Sequence, residues 1–256
     1  MRTRPWSALV RVPTTSGDVW FKEAAPALAF EPALTEFLAA RRPDCTPSVI
    51  ATEGPRMLTA DAGMSFRTLL EEERSGPSWE KIVRLYAELQ IELADTVDAL
   101  LAMSVPDSRP ETFGRPLNGP VPLTLIHEEV HDGNVFVRDG RPVFIDWAEA
   151  SVSHPFAGMI NTLRRAVDVL GYEPGSPRIL AIRDAYLEPW TRYAPLDELR
   201  DLFAAGYALG ALVRAATWER VILPLPATAR EDYEHNIGAW REIYEEAVRE
   251  PAALGA

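Results

Sequence analysis

Leu125-Ile126-His127-Glu128-Glu129-Val130-His131-Asp132-Gly133-Asn134-Val135-Phe136-Val137-Arg138-Asp139-Gly140-Arg141-Pro142-Val143-Phe144-Ile145-Asp146-Trp147 is the stretch whose reading decides the fold. Two apolar runs, 135–138 and 141–145, flank Asp139-Gly140. Both turn residues tolerate positive φ, so this is a strong short-range signal for a two-residue β-hairpin. Such a turn pairs Arg138 with Arg141 and Asn134 with Ile145, and brings Asn134 and Asp146 to the same open end, roughly 4–8 Å apart. An amide oxygen beside a carboxylate suits Mg2+, which takes hard oxygen ligands and borrows the rest of its shell from water and phosphates. A surface Asn and Asp closing a hairpin would give the same pattern, and the pairing alone leaves both readings open.

Just upstream, His127-Glu128-Glu129-Val130-His131 matches H-E-x-x-H, the zinc-hydrolase pattern. That chemistry needs both histidines on one helical face, with the Glu activating a metal-bound water. Here Pro120, Pro122 and a strand-like 121–126 precede the motif, and Asp132-Gly133-Asn134 follows it as a breaker. No helix of useful length fits between them. His154, in Ser153-His154-Pro155, is the conceivable third ligand and lacks a supporting pattern.

Outward from this segment the chain divides in character. Residues 7–12 and 18–23 read as strands around Thr14-Thr15-Ser16-Gly17, and 49–52 and 56–60 as two more around Gly54-Pro55. Between them, Pro32 and the spacing of Phe30, Leu34, Phe37 and Leu38 predict a helix over about 31–42. Residues 61–65 read as a connector. Beyond it, Ser78 is a plausible N-cap for one long helix in which Ile82, Leu85, Tyr86, Leu89, Leu93, Val97, Leu100 and Leu101 trace an apolar face. Four prolines make 104–120 an irregular loop, and helical patterns cover 156–170, 177–193, 197–222 and 229–249. The expected organisation is α+β: a β-rich lobe over 1–61 and a larger, mostly helical lobe over 62–256.

Bulk properties bound the function. The chain has 256 residues with a formal charge of -12, and all but two of its 26 basic residues are Arg, the exceptions being Lys22 and Lys81. An acidic chain is poorly suited to phosphate-backbone binding, so no nucleic-acid partner is expected. Its acidity is compatible with a cationic small substrate and equally with simple solubility. A single Cys, Cys45, excludes an internal disulfide, the first residues lack a signal-type apolar stretch, and the longest apolar run, 202–213, is too short to span a bilayer. A cytoplasmic protein without a membrane partner is expected.

The run 127–134 followed by Asp146-Trp147 resembles the signature of the aminoglycoside phosphotransferase and choline kinase-like family, which has the bilobal protein-kinase-like fold. That signature is H-x-D-x-x-x-x-N on the catalytic loop, then a second Asp after a hairpin, commonly in I-D-W or I-D-F. His127, Asn134 and Asp146 fall in register with it, and the order of β-rich lobe, connector and helical lobe extends the resemblance over nearly the whole chain. The resemblance implies an ATP- and Mg2+-dependent kinase acting on a hydroxyl of an amino sugar, aminoglycoside, amino alcohol or similar metabolite.

Carried over by position, Lys22 resembles the strand lysine that contacts ATP phosphates, and Glu31 the glutamate that pairs with it, with Glu36 the less favoured candidate. Thr59 and Asp61 would flank the hinge, where backbone groups hold adenine. Asn134 and Asp146 would hold Mg2+, and His127 would be a structural member of the catalytic loop. In the same reading without the family, Lys22 is an edge lysine and Glu31 a favourable charge at a helix start. Two departures stand out. Glu129 occupies the place of the catalytic Asp, with Glu128 where a small residue is usual, and the extra methylene of Glu129 alters reach by about 1 Å, enough to cost on the order of 100-fold in a positioning-dominated reaction. The other departure is a single strand before the Lys22 strand, which implies a shortened or incomplete phosphate-covering hairpin. A catalytically silent, kinase-like module that binds nucleotide or a partner is the second reading.

Overall fold

The structure, a computed structural model, describes residues 1–72 and 76–249. It opens with a five-stranded antiparallel sheet in the order β1-β2-β3-β5-β4. The strands are β1 (Arg2–Arg4), β2 (Ser7–Thr14), β3 (Gly17–Ala24), β4 (Val49–Glu53) and β5 (Arg56–Ala60), with helix α1 (Glu31–Arg41) between β3 and β4. Gly17, at φ 118°, makes the β2–β3 turn, where the Thr14 hydroxyl donates to the Gly17 carbonyl at 2.6 Å. In register, Lys22 stands opposite Leu9 on one side and Met57 on the other, so the lysine is on a central strand.

The first strand corrects the sequence reading. Two strands, not one, precede the Lys22 strand, and Arg2, Thr3 and Arg4 pair with Leu9, Ala8 and Ser7. The first hairpin is therefore present, with Pro5-Trp6 as its turn, but short, since β1 pairs with only the first three residues of the eight-residue β2. A three-residue Arg-Thr-Arg strand carries no apolar alternation, and it is the backbone ladder with β2 that defines it.

The remaining chain is mostly helical: α2 (Phe66–Glu71), α3 (Trp79–Leu93), α4 (Val97–Ala102), α5 (Met159–Leu170), α6 (Pro177–Leu187), α7 (Leu196–Ile222), α8 (Ala227–Arg230) and α9 (His235–Arg249). The stripe expected from residue 78 onward faces the core, with Leu85, Val97 and Leu101 half-buried and the rest buried, but it is not one helix. Residues 94–96 tighten into a 3-10 turn in which the Thr96 hydroxyl donates to the Leu93 carbonyl at 2.8 Å, a local bond that competes with the helical ladder. Short strands carry the functional segment: β7 (Thr124–Ile126) pairs with β10 (Ser151–Ser153), and β8 (Val135–Arg138) lies between β6 (Met64–Ser65) and β9 (Arg141–Phe144). The β8–β9 hairpin has the anticipated register, Arg138 opposite Arg141, with Asp139 and Gly140 at φ 53° and 75°.

One large core unites α1, α3, α5, α6 and α7, with Trp79, Tyr86, Phe144, Trp147, Phe156, Tyr186, Trp190 and Phe203 all buried. The apolar run over 202–213 is the middle of α7, most of it packed against the core; among the described residues no helix is long and apolar enough to cross a membrane. Gly63 sits where the chain leaves the sheet, at φ 94°, with Val137 backbone so close that a Cβ would collide with its carbonyl oxygen. Gly63→Ala combines backbone strain with overpacking and is expected to cost about 1–3 kcal/mol. For a chain of this size that lowers Tm by roughly 2–4 °C per kcal/mol. An unchanged Tm in a thermal melt would contradict this account of the connector.

Candidate active site

Lys22 is the residue around which the cleft is built. Its Nζ donates to Glu31 Oε1 at 2.7 Å and to Asp146 Oδ1 at 2.5 Å. The lysine side chain is 10% exposed and that of Glu31 fully buried, whereas the Asp146 side chain is 47% exposed, facing the cleft. Burial opposes the ammonium charge, but the Asp146 and Glu31 carboxylates more than offset it and raise the Lys22 pKa. Glu31 is pushed up to about 7 by burial, against the pull of Lys22. Strand β3 and the first turn of α1 supply one half of this cluster, and the residue after β9 and Ile145 supplies the other. Glu36, the less favoured partner, points elsewhere, within 3.5 Å of the Thr52 hydroxyl.

Asp146 takes a left-handed backbone, φ 66° and ψ 63°, which ends the hairpin abruptly and starts the 3-10 turn over Trp147–Glu149. A non-Gly residue held there marks a constrained position. The Asn134 carbonyl accepts from the Ile145 N–H at 3.0 Å, so the hairpin delivers both side chains to one end, as its register requires. The Asn134 side chain donates to the Glu129 carbonyl at 3.3 Å. Asn134 and Asp146 both line a cavity of about 460 Å3 that also contacts Lys22, Glu129 and Glu149.

Residues 127–134 form no helix, which removes the zinc geometry. His127 uses both ring nitrogens locally: Nε2–H donates to the Ile145 carbonyl at 2.8 Å, and Nδ1 accepts from the Glu129 N–H at 3.3 Å. Because a carbonyl can only accept, this fixes the tautomer. Burial lowers the His127 pKa to about 4, so the ring is neutral and serves as a splint between the loop and the hairpin. Buried His154 lies apart, its Nδ1 accepting from the Phe156 N–H at 3.3 Å. No cluster of three or more His, Cys, Asp or Glu that could hold a metal exists among the described residues.

The loop is tied from several directions. The Tyr86 hydroxyl accepts from the His127 N–H at 2.8 Å, and the Asn161 side chain donates to the Glu128 carbonyl at 3.0 Å. The Asp132 carboxylate accepts from Arg67 Nε and Arg165 Nε, each at 2.6 Å, and these arginines hold its pKa low despite burial. Glu129 accepts from Arg214 Nη2 at 2.9 Å, and Arg214 also binds Glu149. Burial and then the Glu149 carboxylate push the Glu129 pKa up to about 8, with Arg214 pulling the other way.

Of the residues singled out from sequence, Lys22, Thr59, Glu129, Asn134 and Asp146 border one cavity, with Glu31 directly behind Lys22. The Asp61 side chain accepts from Trp20 Nε1 at 2.9 Å and from the Gly63 N–H at 2.8 Å. Sequence reasoning did not find Glu149 or the role of Arg214, nor Trp6, whose ring meets Trp218 and Tyr233 edge-on at 5.7 and 4.8 Å at the end of the cavity. Glu149, three residues past Asp146, was within reach of a motif reading; the contacts of Arg214 and Trp6 depend on tertiary packing.

The sequence profile of the Phosphotransferase enzyme family matches residues 4–221. Among solved structures, ethanolamine kinase from Plasmodium vivax is similar with TM-score 0.58 and 12% identity, over 94% of this chain and 81% of that one. A choline kinase from Cryptosporidium parvum Iowa II gives 0.51 and 10%, over 99% and 93%. Amicoumacin kinase hAmiN, in complex with AMP-PNP, Ca2+ and Ami, gives 0.51 and 12%, over 96% and 87%. No curated protein sequence matches the chain significantly. At these identities the structural likeness establishes the protein-kinase-like fold.

Lys22→Arg preserves charge but places a planar fork where a compact ammonium bridges two carboxylates. Nucleotide-dependent turnover is expected to fall at least about tenfold with Tm nearly unchanged; full retention of turnover would detach Lys22 from the chemistry.

Proposed function

Since the chain belongs to the Phosphotransferase enzyme family, we propose that it is an ATP- and Mg2+-dependent kinase of the cytoplasm that phosphorylates a hydroxyl of an amino-sugar, aminoglycoside, amino-alcohol or similar metabolite. The observation that carries this reading is the Lys22–Glu31–Asp146 chain of hydrogen bonds in one cleft with Glu129 and Asn134. Lys22 would neutralise nucleotide phosphates, with Glu31 fixing the ammonium from behind. Adenine would stack between the sheet and the hairpin, beside Thr59, Met57 and Ile145, and hydrogen-bond to backbone between Thr59 and Asp61.

Asn134 and Asp146 suit Mg2+ by donor chemistry, since hard oxygens at a partly open cleft edge match an ion that retains water and phosphate ligands. Bound there, the ion would neutralise charge on the transferring phosphoryl group. Glu129 would accept the proton of the attacking hydroxyl and orient it. The acidic wall of Glu129, Asp146 and Glu149 supports a cationic acceptor. The second reading, a silent module, is favoured by one observation: Arg214 already occupies the Glu129 carboxylate.

ADP release assayed with ATP–Mg2+ and ethanolamine, choline, glucosamine or kanamycin tests the proposal. At least one acceptor is expected to turn over and the Asp146→Ala variant none of them. Silence of the native chain with a broad panel of hydroxylated acceptors, or an unaltered Asp146→Ala variant, would overturn the proposal. The pH dependence has a definite sign. A base must be ionised, and Glu129 is raised to about 8, so kcat should climb between about pH 7 and 9. Glu129→Gln should lower kcat by roughly 100-fold or more and abolish the climb; a profile flat across that range in the native enzyme would exclude Glu129 as the base.

A further inference from the structure

Glu128 is an improbable residue at its position. It has φ 64°, a left-handed backbone that disfavours any side chain with a β-carbon, and its carboxylate is buried, 1% exposed. Strain and charge burial of this kind persist only where the surroundings over-determine them. The carboxylate accepts from the Ser151 hydroxyl at 2.6 Å and the Thr217 hydroxyl at 3.2 Å, both on Oε1. Its other oxygen, Oε2, faces Arg214 Nη1 at 3.5 Å. Arg214 is itself 2% exposed, and its second terminal nitrogen, Nη2, holds the carboxylate of the next residue, Glu129. Ser151 lies on β10, and Arg214 and Thr217 lie one turn apart on α7, so rigid elements grip the anchor from both sides.

We infer that Glu128 and Arg214 form a positioning pair that sets the reach of Glu129. This rests on the proposed role of Glu129 as the base. Glu129 carries one methylene more than the aspartate usual at its place, and Arg214, moored to the loop through Glu128, draws that longer side chain back to a fixed point. Arg214 Nη1 lies closer to Glu149 than to Glu128, so Glu149, which also lines the cavity, is a second tether of the guanidinium. The two unusual residues at 128 and 129 are thus one adaptation: the buried anchor accompanies the longer base. A guanidinium is the group for this task, because its planar fork can serve several carboxylates at once and an ammonium cannot.

A double-mutant cycle between Glu128 and Glu129 tests this, using ATP–Mg2+ and whichever acceptor of the panel above gives the highest turnover. Glu128→Gln keeps the shape and the hydroxyl bonds but removes the charge that moors Arg214. It should lower kcat about tenfold or more while the KM for ATP stays within about twofold, because only the reacting geometry is disturbed. In the Glu129→Gln background the same change should have no further effect on kcat. Equal losses in both backgrounds would mean a merely structural role and overturn the inference, as would a Glu128→Gln enzyme of native kcat. Arg214→Lys, taken through the same cycle, supplies the result if Glu128→Gln does not fold, and the same non-additivity is expected. A native chain without turnover on any acceptor would overturn the proposed function and this inference with it; native turnover with additive losses overturns this inference alone.

Discussion

The Lys22 ammonium lies between two carboxylates that are 9 and 124 residues away in sequence, and the arrangement of both halves of the molecule follows from satisfying it. A buried charge is costly unless paired, and removing one member of such a pair commonly costs several kcal/mol. Lys22 meets this requirement only if β3 is central in its sheet, α1 begins with its first turn against that strand, and the β8–β9 hairpin brings Asp146 up from the helical part. Asp146 meets the ammonium from a left-handed backbone with its side chain about half exposed. The part of the cluster that would meet a phosphate is therefore open to the cleft, and the part that fixes the lysine is closed to water.

Around this bridge the loop over 127–134 is held by groups that have no freedom to do anything else. His127 has both ring nitrogens engaged and is neutral. Asp132 is shared by two arginines, and the Tyr86 hydroxyl receives a loop N–H. The two arginines and the tyrosine come from three different helices, α2, α5 and α3. A rigid loop suits phosphoryl transfer, in which positioning and electrostatics supply most of the rate. The residues left facing the cleft, Glu129 and Asn134, are those with chemistry to offer.

The local features were legible in the sequence because local chemistry determines them. Asp139-Gly140 sets a two-residue turn, the turn sets the register, and the register brings Asn134 and Asp146 together. Pro32 and the spacing from Leu34 onward mark α1, and so put Glu31 in its first turn, one helical start from Lys22. The first strand was missed because Arg2-Thr3-Arg4 is held by backbone bonds and has no apolar signature. The long stripe after Ser78 hid a break because both helical pieces bury the same face. Arg214 had no readable role, because its three glutamate partners are 65, 85 and 86 residues away and meet only in the packed molecule. Trp6 is a similar case, since a turn tryptophan has no readable partner until α7 and Tyr233 come to meet it.

What distinguishes this cleft is a glutamate, Glu129, held by a buried arginine at a place where the family resemblance implies an aspartate. Steady-state turnover of the Glu129→Asp variant, measured beside the native chain with ATP–Mg2+ and the same acceptor, tests that point most directly. The shorter carboxylate would sit about 1 Å short of the fixed point, and kcat is predicted to fall on the order of 100-fold. A Glu129→Asp enzyme that equals or exceeds the native one would contradict the account, for the site would then be a damaged aspartate site and not one rebuilt around glutamate.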